Sequence, residues 1–110
     1  MSMTLRVSRM STVPATDLTP VEILKRVDEI NSQFATARDE IELAMDSVGT
    51  TYFNDEATDA LNLGREVIQK YEQLLTLVSA DKRSELQRSL GLKMGQLKAE
   101  LENLKNAGAD

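Results

Sequence analysis

Three carboxylates lie three and four residues apart in the first half of the chain, at Asp39, Glu42 and Asp46. On a helix this spacing places all three on one face. Carboxylates that converge from several elements and are shielded from water can bind a divalent metal or act as general acids and bases. Neither the EF-hand spacing nor a Glu-x-x-His motif accompanies them. We therefore favour a solvent-facing helix surface and keep a carboxylate-based metal-binding protein or enzyme as the alternative.

Other common catalytic groups are missing from the sequence, which has neither cysteine nor histidine. Disulfides, thiolate catalysis, histidine acid–base chemistry and the commoner zinc sites are thereby excluded. Serine and threonine nucleophiles have no histidine to activate them. The segment GLKMG, residues 91–95, lacks the phosphate-loop pattern and falls inside a predicted helix. The sequence therefore predicts a protein that is not an enzyme and needs no cofactor.

Length, composition and charge favour a small helical domain. The chain has 110 residues, of which 41% are apolar, 4% aromatic and 28% charged, a mix typical of helical bundles. Its net charge of −5, without a basic stripe, argues against nucleic-acid binding and against attraction to an anionic membrane. No run of 18 apolar residues could span a bilayer. We expect a cytoplasmic protein that binds neither nucleic acid nor the membrane interior.

The first fifteen residues differ from the rest. The stretch MSMTLRVSRMSTVPA carries Arg6 and Arg9, several hydroxyl side chains and no acid. This is the composition of a mitochondrial presequence, but also that of a short unstructured tail. Because the apolar face is poor, we favour a flexible tail over residues 1–16 and keep mitochondrial targeting by residues 1–15 as the alternative.

The first helix is predicted over about residues 20–48. Thr19, Pro20 and Glu22 form a capping box with proline at the first helical position, and Gly49 suits the end of the helix. Leu24 and Met45 are expected to widen its apolar face. The apolar residues alternate four and three apart, as in a coiled coil: Ile23, Val27, Ile30, Phe34, Ala37, Ile41, Ala44 and Val48.

Two further helices follow, over about 55–78 and 80–106. Asn54 is the predicted N-cap of the second, with Asp55, Glu56 and Asp59 placed at the positive end of the helix dipole. The third follows Ser79, and short loops make neighbouring helices antiparallel. The prediction is an all-α antiparallel three-helix bundle over residues 17–106, with a long first helix and a frayed end at 107–110. Its third helix turns six residues to the core: Leu86, Leu90, Met94, Leu97, Leu101 and Leu104.

Three features of the bundle are open to more than one interpretation. Gly64 lies within the apolar face of the second helix, so another helix is expected to cross closely there. Tyr52 and Phe53 stand at a helix junction, where one or both could plug the bundle end or anchor a partner, and we favour the plug. The first helix, taken as the longest, could overhang around Ile23 and Leu24, so its coiled-coil face could also pair two copies in a homodimer.

A stripe of small residues runs down the third helix at Gly91, Gly95 and Ala99, away from the leucine face. Small residues four apart let another backbone approach closely. The stripe could therefore hold a partner helix, pack against a helix of the same chain, or mark a kink. We predict a partner-binding surface for a helical peptide, a second copy or a subunit of a larger complex. Its residues are Arg88, Gly91, Leu92, Gly95, Lys98, Ala99 and Glu102.

About half of the chain resembles a family of three-helix domains. The stretch YFNDEATDALNLGREVIQKYEQLL, residues 52–75, and the segment ELENLK, residues 100–105, are similar to the second and third helices of microtubule-interacting-and-trafficking (MIT) domains. The sequence departs at Glu100, where the family has Arg, at Leu101, where it has Ala, and in its longer first helix. The resemblance implies a non-catalytic adaptor that takes a short peptide in a groove beside the third helix.

Overall fold

A computed structural model describes residues 17–108 of the chain. Over this range it has three helices, α1 (Pro20–Asp46), α2 (Phe53–Thr76) and α3 (Ala80–Gly108), and no strand. The predicted all-α three-helix bundle is confirmed. The predicted tail at 1–16 and its alternative as a targeting segment lie outside the described residues, as do residues 109–110.

The start of α1 is fixed by the predicted capping box. The Thr19 hydroxyl accepts a hydrogen bond from the Glu22 N–H (3.2 Å), and the Glu22 carboxylate accepts one from the Thr19 N–H (2.8 Å). These bonds lower the pKa of the Glu22 carboxyl below its ordinary value. The Leu18 N–H donates to the Leu77 carbonyl (2.9 Å), which ties the start of α1 to the loop between α2 and α3. The predicted overhang of α1 is therefore wrong.

Several helix ends differ from the predictions. α1 stops at Asp46 rather than 48, and Gly49 then adopts a left-handed φ of +89°. α2 begins at Phe53, so Asn54 is not its N-cap but lies in its first turn, and it ends at Thr76 rather than 78. The physical reason at the start of α2 is the burial of Phe53, because an earlier helix start turns this ring towards the core.

The predicted fray at 107–110 is wrong for its first two residues, because α3 continues to Gly108. With 29 residues, α3 exceeds the 27 of α1, so the first helix is not the longest. The ring of Phe53 covers the end of α3: a Cβ at Gly108 would lie 2.9 Å from Phe53 Cε2. Phe53 therefore plugs the bundle end as predicted, whereas Tyr52 is 70% exposed.

The core is formed by one face of each helix. All six predicted core residues of α3 are buried, and so are six of the eight predicted for α1, Val27 being half-buried and Val48 exposed. Leu24 and Met45 do not widen the apolar face of α1, since they are 62% and 42% exposed. The sides of the core are completed by α2, whose buried residues are Phe53, Ala57, Ala60, Gly64, Val67, Tyr71 and Leu74.

The predicted close helix crossing at Gly64 is confirmed. A Cβ built on Gly64 would lie 2.6 Å from Cδ2 and 3.0 Å from Cγ of Leu101 on α3. Leu101 is itself buried, so its side chain has little room to turn away. Glycine at this position lets the Leu101 side chain of α3 pack directly on the backbone of α2.

Replacing Thr19 by alanine should destabilise the domain by about 1 kcal/mol, because the N–H of Glu22 loses its side-chain acceptor. Urea unfolding followed by circular dichroism measures the change. A Thr36→Ala substitution is the matched control: the Thr36 hydroxyl only donates to the Ser32 carbonyl within α1. If both variants unfolded like the parent chain, the capping box would contribute nothing.

Alanine at Gly64 and alanine at Gly95 should change stability in opposite directions. The Gly64→Ala change overpacks the α2–α3 contact, which typically costs about 1–3 kcal/mol and should outweigh the gain of up to about 1 kcal/mol in helix propensity. The Gly95→Ala change meets no atom within 4 Å and should stabilise α3 by up to about 1 kcal/mol. Thermal melts compare the two. A Gly64→Ala variant that melted above the parent chain would contradict the close crossing, and Leu101→Ala in the same chain should make Gly64→Ala less costly.

Candidate interaction surface on the third helix

The predicted stripe lies on the outer face of α3. Placed at 100° per residue, Gly95 and Ala99 point away from the buried face that contains Leu97 and Leu101. Gly91 is half-buried, and the other six residues of the stripe are exposed: Arg88, Leu92, Gly95, Lys98, Ala99 and Glu102. The structure thus brings all seven predicted residues together on one surface, which we call the outer stripe.

The centre of the outer stripe is open. No atom from outside the local helix lies within 4 Å of a Cβ built on Gly95. At Gly91 the same construction meets only the Tyr71 hydroxyl, at an ordinary contact distance of 3.6 Å. Packing within the chain is therefore confined to the Gly91 edge, where the stripe borders α2. α3 also runs through both glycines as one continuous helix.

At the border with α2 lie one aromatic side chain, Tyr71, and one weak ion pair. Tyr71 is buried apart from 8% of its surface, and this burial raises the pKa of its phenol. Lys98 lies 3.7 Å from Glu72 of α2, with both side chains more than half exposed. Exposed pairs of this kind contribute little to stability, so Lys98 remains available to another charge.

One exposed leucine stands beside the glycines. Leu92 is 76% exposed, more than any other large apolar residue among 17–108. Arg88, one turn before it, has no carboxylate within 4 Å in the described part of the chain. The outer stripe thus combines a backbone that another helix can approach, one uncovered apolar side chain and charges of both signs.

A second surface, between α1 and α3, was not foreseen from the sequence. Arg38 donates two hydrogen bonds to the Glu100 carboxylate (3.1 and 2.8 Å), and Lys93 donates one to Asn31 (2.9 Å). The cations of Arg38 and Lys93 lie 5.8 and 5.5 Å from the centre of the Phe34 ring. Both cross-helix pairs join residues 62 positions apart, which shows that α1 and α3 run parallel. The sequence did contain a signal for this contact, since charged and amide side chains recur seven residues apart on both helices.

Beside this contact lies a groove with a cavity volume of about 580 Å³. We call it the α1–α3 groove. It has apolar side chains in its lining, and two of the three predicted carboxylates of α1, Asp39 and Glu42, belong to its wall. The complete lining is Phe34, Ala35, Arg38, Asp39, Ile41, Glu42, Met45, Glu100 and Asn103.

The carboxylates do not form a metal site in the described structure. Asp46 is not part of the groove, and Glu100, the facing acid on α3, is bound to Arg38. Among residues 17–108, no three acidic side chains lie close enough together to hold a metal ion. Asp55 and Glu56 occupy the first turn of α2 as expected of charges at a helix N-terminus, and Glu56 accepts a hydrogen bond from the Ser47 hydroxyl.

Within residues 17–108, no helix combines the length and the apolar character that crossing a bilayer requires.

Comparison with known proteins replaces the family suggested by the sequence pattern. Residues 24–106 match the family model of the Embryogenesis-like protein helical domain. An Embryogenesis-like protein of Arabidopsis thaliana is 52% identical over 85 residues, which are 77% of this chain and 48% of that protein. No solved structure matches. The resemblance to MIT domains is therefore wrong, because the apolar spacing of a helical hairpin recurs in unrelated bundles.

The match covers most of the bundle and runs from the second turn of α1 nearly to the end of α3. The chain spans about half the length of the curated relative. On the extent of the family match and the identity to this relative, the chain belongs to the family of the Embryogenesis-like protein helical domain.

Proposed function

We propose that this domain is a non-catalytic interaction module that binds a helix of a partner protein along the outer stripe of α3. The observation that carries the proposal is Gly95. A glycine inside a helix costs up to about 1 kcal/mol relative to alanine, yet no neighbouring atom in the described structure requires a glycine here. A partner that approaches the backbone closely would provide that requirement.

The chemistry of the stripe suits such a partner. A helix laid across Gly95 and Ala99 can come nearer than one packed on larger side chains, and it would cover Leu92. Arg88, Lys98 and Glu102 surround this patch and offer polar contacts of both signs, as the rim of a protein interface does. The centre of the stripe thus provides apolar contact for a binding partner, and the charged residues at its edge orient that partner.

The absence of histidine and cysteine from the sequence supports a binding role over catalysis. Two kinds of partner helix fit the stripe, one from another protein and one from a second copy of this chain. A second copy would make a two-fold interface in which each outer stripe contacts the other. Light scattering measures the molecular mass of the purified chain in solution. The mass of a dimer would indicate a second copy as the partner, and the mass of a monomer would indicate another protein.

A leucine at Gly95 should abolish partner binding without weakening the fold. The side chain fills the space that a partner backbone needs, while α3 gains up to about 1 kcal/mol of helix propensity. The matched control is Gln96→Leu, which adds the same side chain at the next, exposed position outside the stripe. Affinity capture with the full chain, read by mass spectrometry, should lose specific partners with Gly95→Leu and keep them with Gln96→Leu.

The melting temperatures of the same variants complete the test. Gly95→Leu should melt at or above the temperature of the parent chain. A fall of many degrees would mean that the stripe is packed within the chain. Partners that survive Gly95→Leu at full recovery would show that they bind elsewhere, and the outer stripe would have to be abandoned as the binding surface.

A further inference from the structure

The α1–α3 groove is long enough for a short helix. Its α1 wall extends from Phe34 to Met45, about three turns or roughly 17 Å at 1.5 Å per residue. α1 packs extensively on α2 and least on α3, so the groove lies where the bundle is least closed. A helix placed here would lie beside α1 and α3 as a fourth member of the bundle.

The lining of the groove provides apolar contact for such a helix. Ala35 is exposed and small, so a partner side chain can approach the α1 backbone there. Met45 is 42% exposed at the far end of the groove. A methionine adapts its shape to different apolar side chains. Ile41 lies between them and is buried except for its edge.

The charges of the groove are not balanced. Arg38 is engaged by the Glu100 carboxylate at 2.8 Å. Asp39 and Glu42 have no basic side chain within 4 Å among the described residues. Like charges three or four residues apart on a helix destabilise it slightly. One arginine and three carboxylates therefore leave the groove with net negative charge, and a cation from outside would relieve the repulsion between Asp39 and Glu42.

We propose that the α1–α3 groove docks a basic amphipathic helix of a partner protein. This surface is separate from the outer stripe and does not depend on it. Such a helix would be about three turns long, with apolar residues towards Ala35 and Met45 and with lysine or arginine beside Asp39 and Glu42. Charge complementarity selects this occupant: an acidic helix would be repelled, and a second copy of the chain carries the same net charge of −5.

Peptide selection tests the proposal on the full chain. A phage-displayed library of random 16-residue peptides is selected against the protein, and the enriched peptides are synthesised and titrated by fluorescence anisotropy. The enriched sequences should be basic, with apolar residues at helical spacing. Asp39→Lys with Glu42→Lys should weaken their binding by about tenfold or more. Added salt should weaken binding to the parent chain.

Matched variants separate this groove from other surfaces. Asp28→Lys with Asp59→Lys makes the same charge change at two exposed, unpaired carboxylates outside the groove. Because these positions act on the peptide only through long-range charge, affinity should change by no more than about twofold. Ala35→Gln should weaken binding, because a larger uncharged side chain obstructs the wall, and Gly95→Leu should not change it. The three groove substitutions are at exposed positions, so circular dichroism melts should match the parent chain.

Five outcomes would overturn the proposal. Selection could yield no peptide, or peptides without excess lysine and arginine. Binding could resist the double charge reversal at Asp39 and Glu42, or fail with Gly95→Leu, which would place it on the outer stripe. Finally, Arg6→Gln with Arg9→Gln in the full chain could raise peptide affinity well beyond the roughly twofold expected of a long-range charge change, which would make the chain's own N-terminal segment the occupant of the groove in place of a partner.

Discussion

The packing of the bundle depends on small residues along α2, the helix that packs most extensively on the other two. α2 turns Ala57, Ala60 and Gly64 to the interior, and at Gly64 the side chain of Leu101 comes so near that a single methyl group would collide with it. Such surfaces let large side chains of a neighbouring helix enter deeply, which gives dense packing without many aromatic residues. Leu101 of α3 uses this space at Gly64, and this contact helps to hold α3 against α2.

α1 contacts the other two helices to different extents. α1 packs mainly on α2, so its contact with α3 is left to side chains that reach across the gap. Arg38 and Glu100 form the principal ion pair, and Phe34 lies beneath two cations. An exposed ion pair contributes about 0–1 kcal/mol and an exposed cation–π contact about 0.5–1 kcal/mol. These contacts fix the register of two parallel helices without closing the space between them, and the α1–α3 groove is the result.

The periodic part of the structure was predictable, whereas the spaces between helices were not. The leucine face of α3, the Thr19 capping box and the crossing at Gly64 follow from local spacing and residue type, which the sequence states directly. A helical wheel orders residues around one helix but contains no distance to the next helix. The seven-residue spacing could therefore indicate the contact between α1 and α3 but not the groove beside Phe34, and the open surroundings of Gly95 could not be separated from internal packing.

The misplaced cap at Asn54 has a related cause. Asn54 has the right side chain for an N-cap, but Phe53 must be buried at the bundle end, and tertiary packing overrides the local preference. The same limit explains the mistaken family resemblance, since apolar spacing reports that a helix is amphipathic and not which bundle it belongs to. Only the match over residues 24–106 distinguishes between families that share such spacing.

Gly64 and Gly95 show how one residue type can have two different causes. Each gives up helix propensity, but at Gly64 the loss is offset by the contact with Leu101 inside the same chain, and at Gly95 nothing in the described structure offsets it. The outer stripe and the α1–α3 groove also differ in chemistry. The stripe offers close backbone approach with mixed charge, while the groove offers an apolar wall with excess negative charge. Salt strongly weakens the attraction between exposed charges but has little effect on apolar contact. Partners of the two surfaces should therefore separate by the salt dependence of their binding, strong for the groove and weak for the stripe.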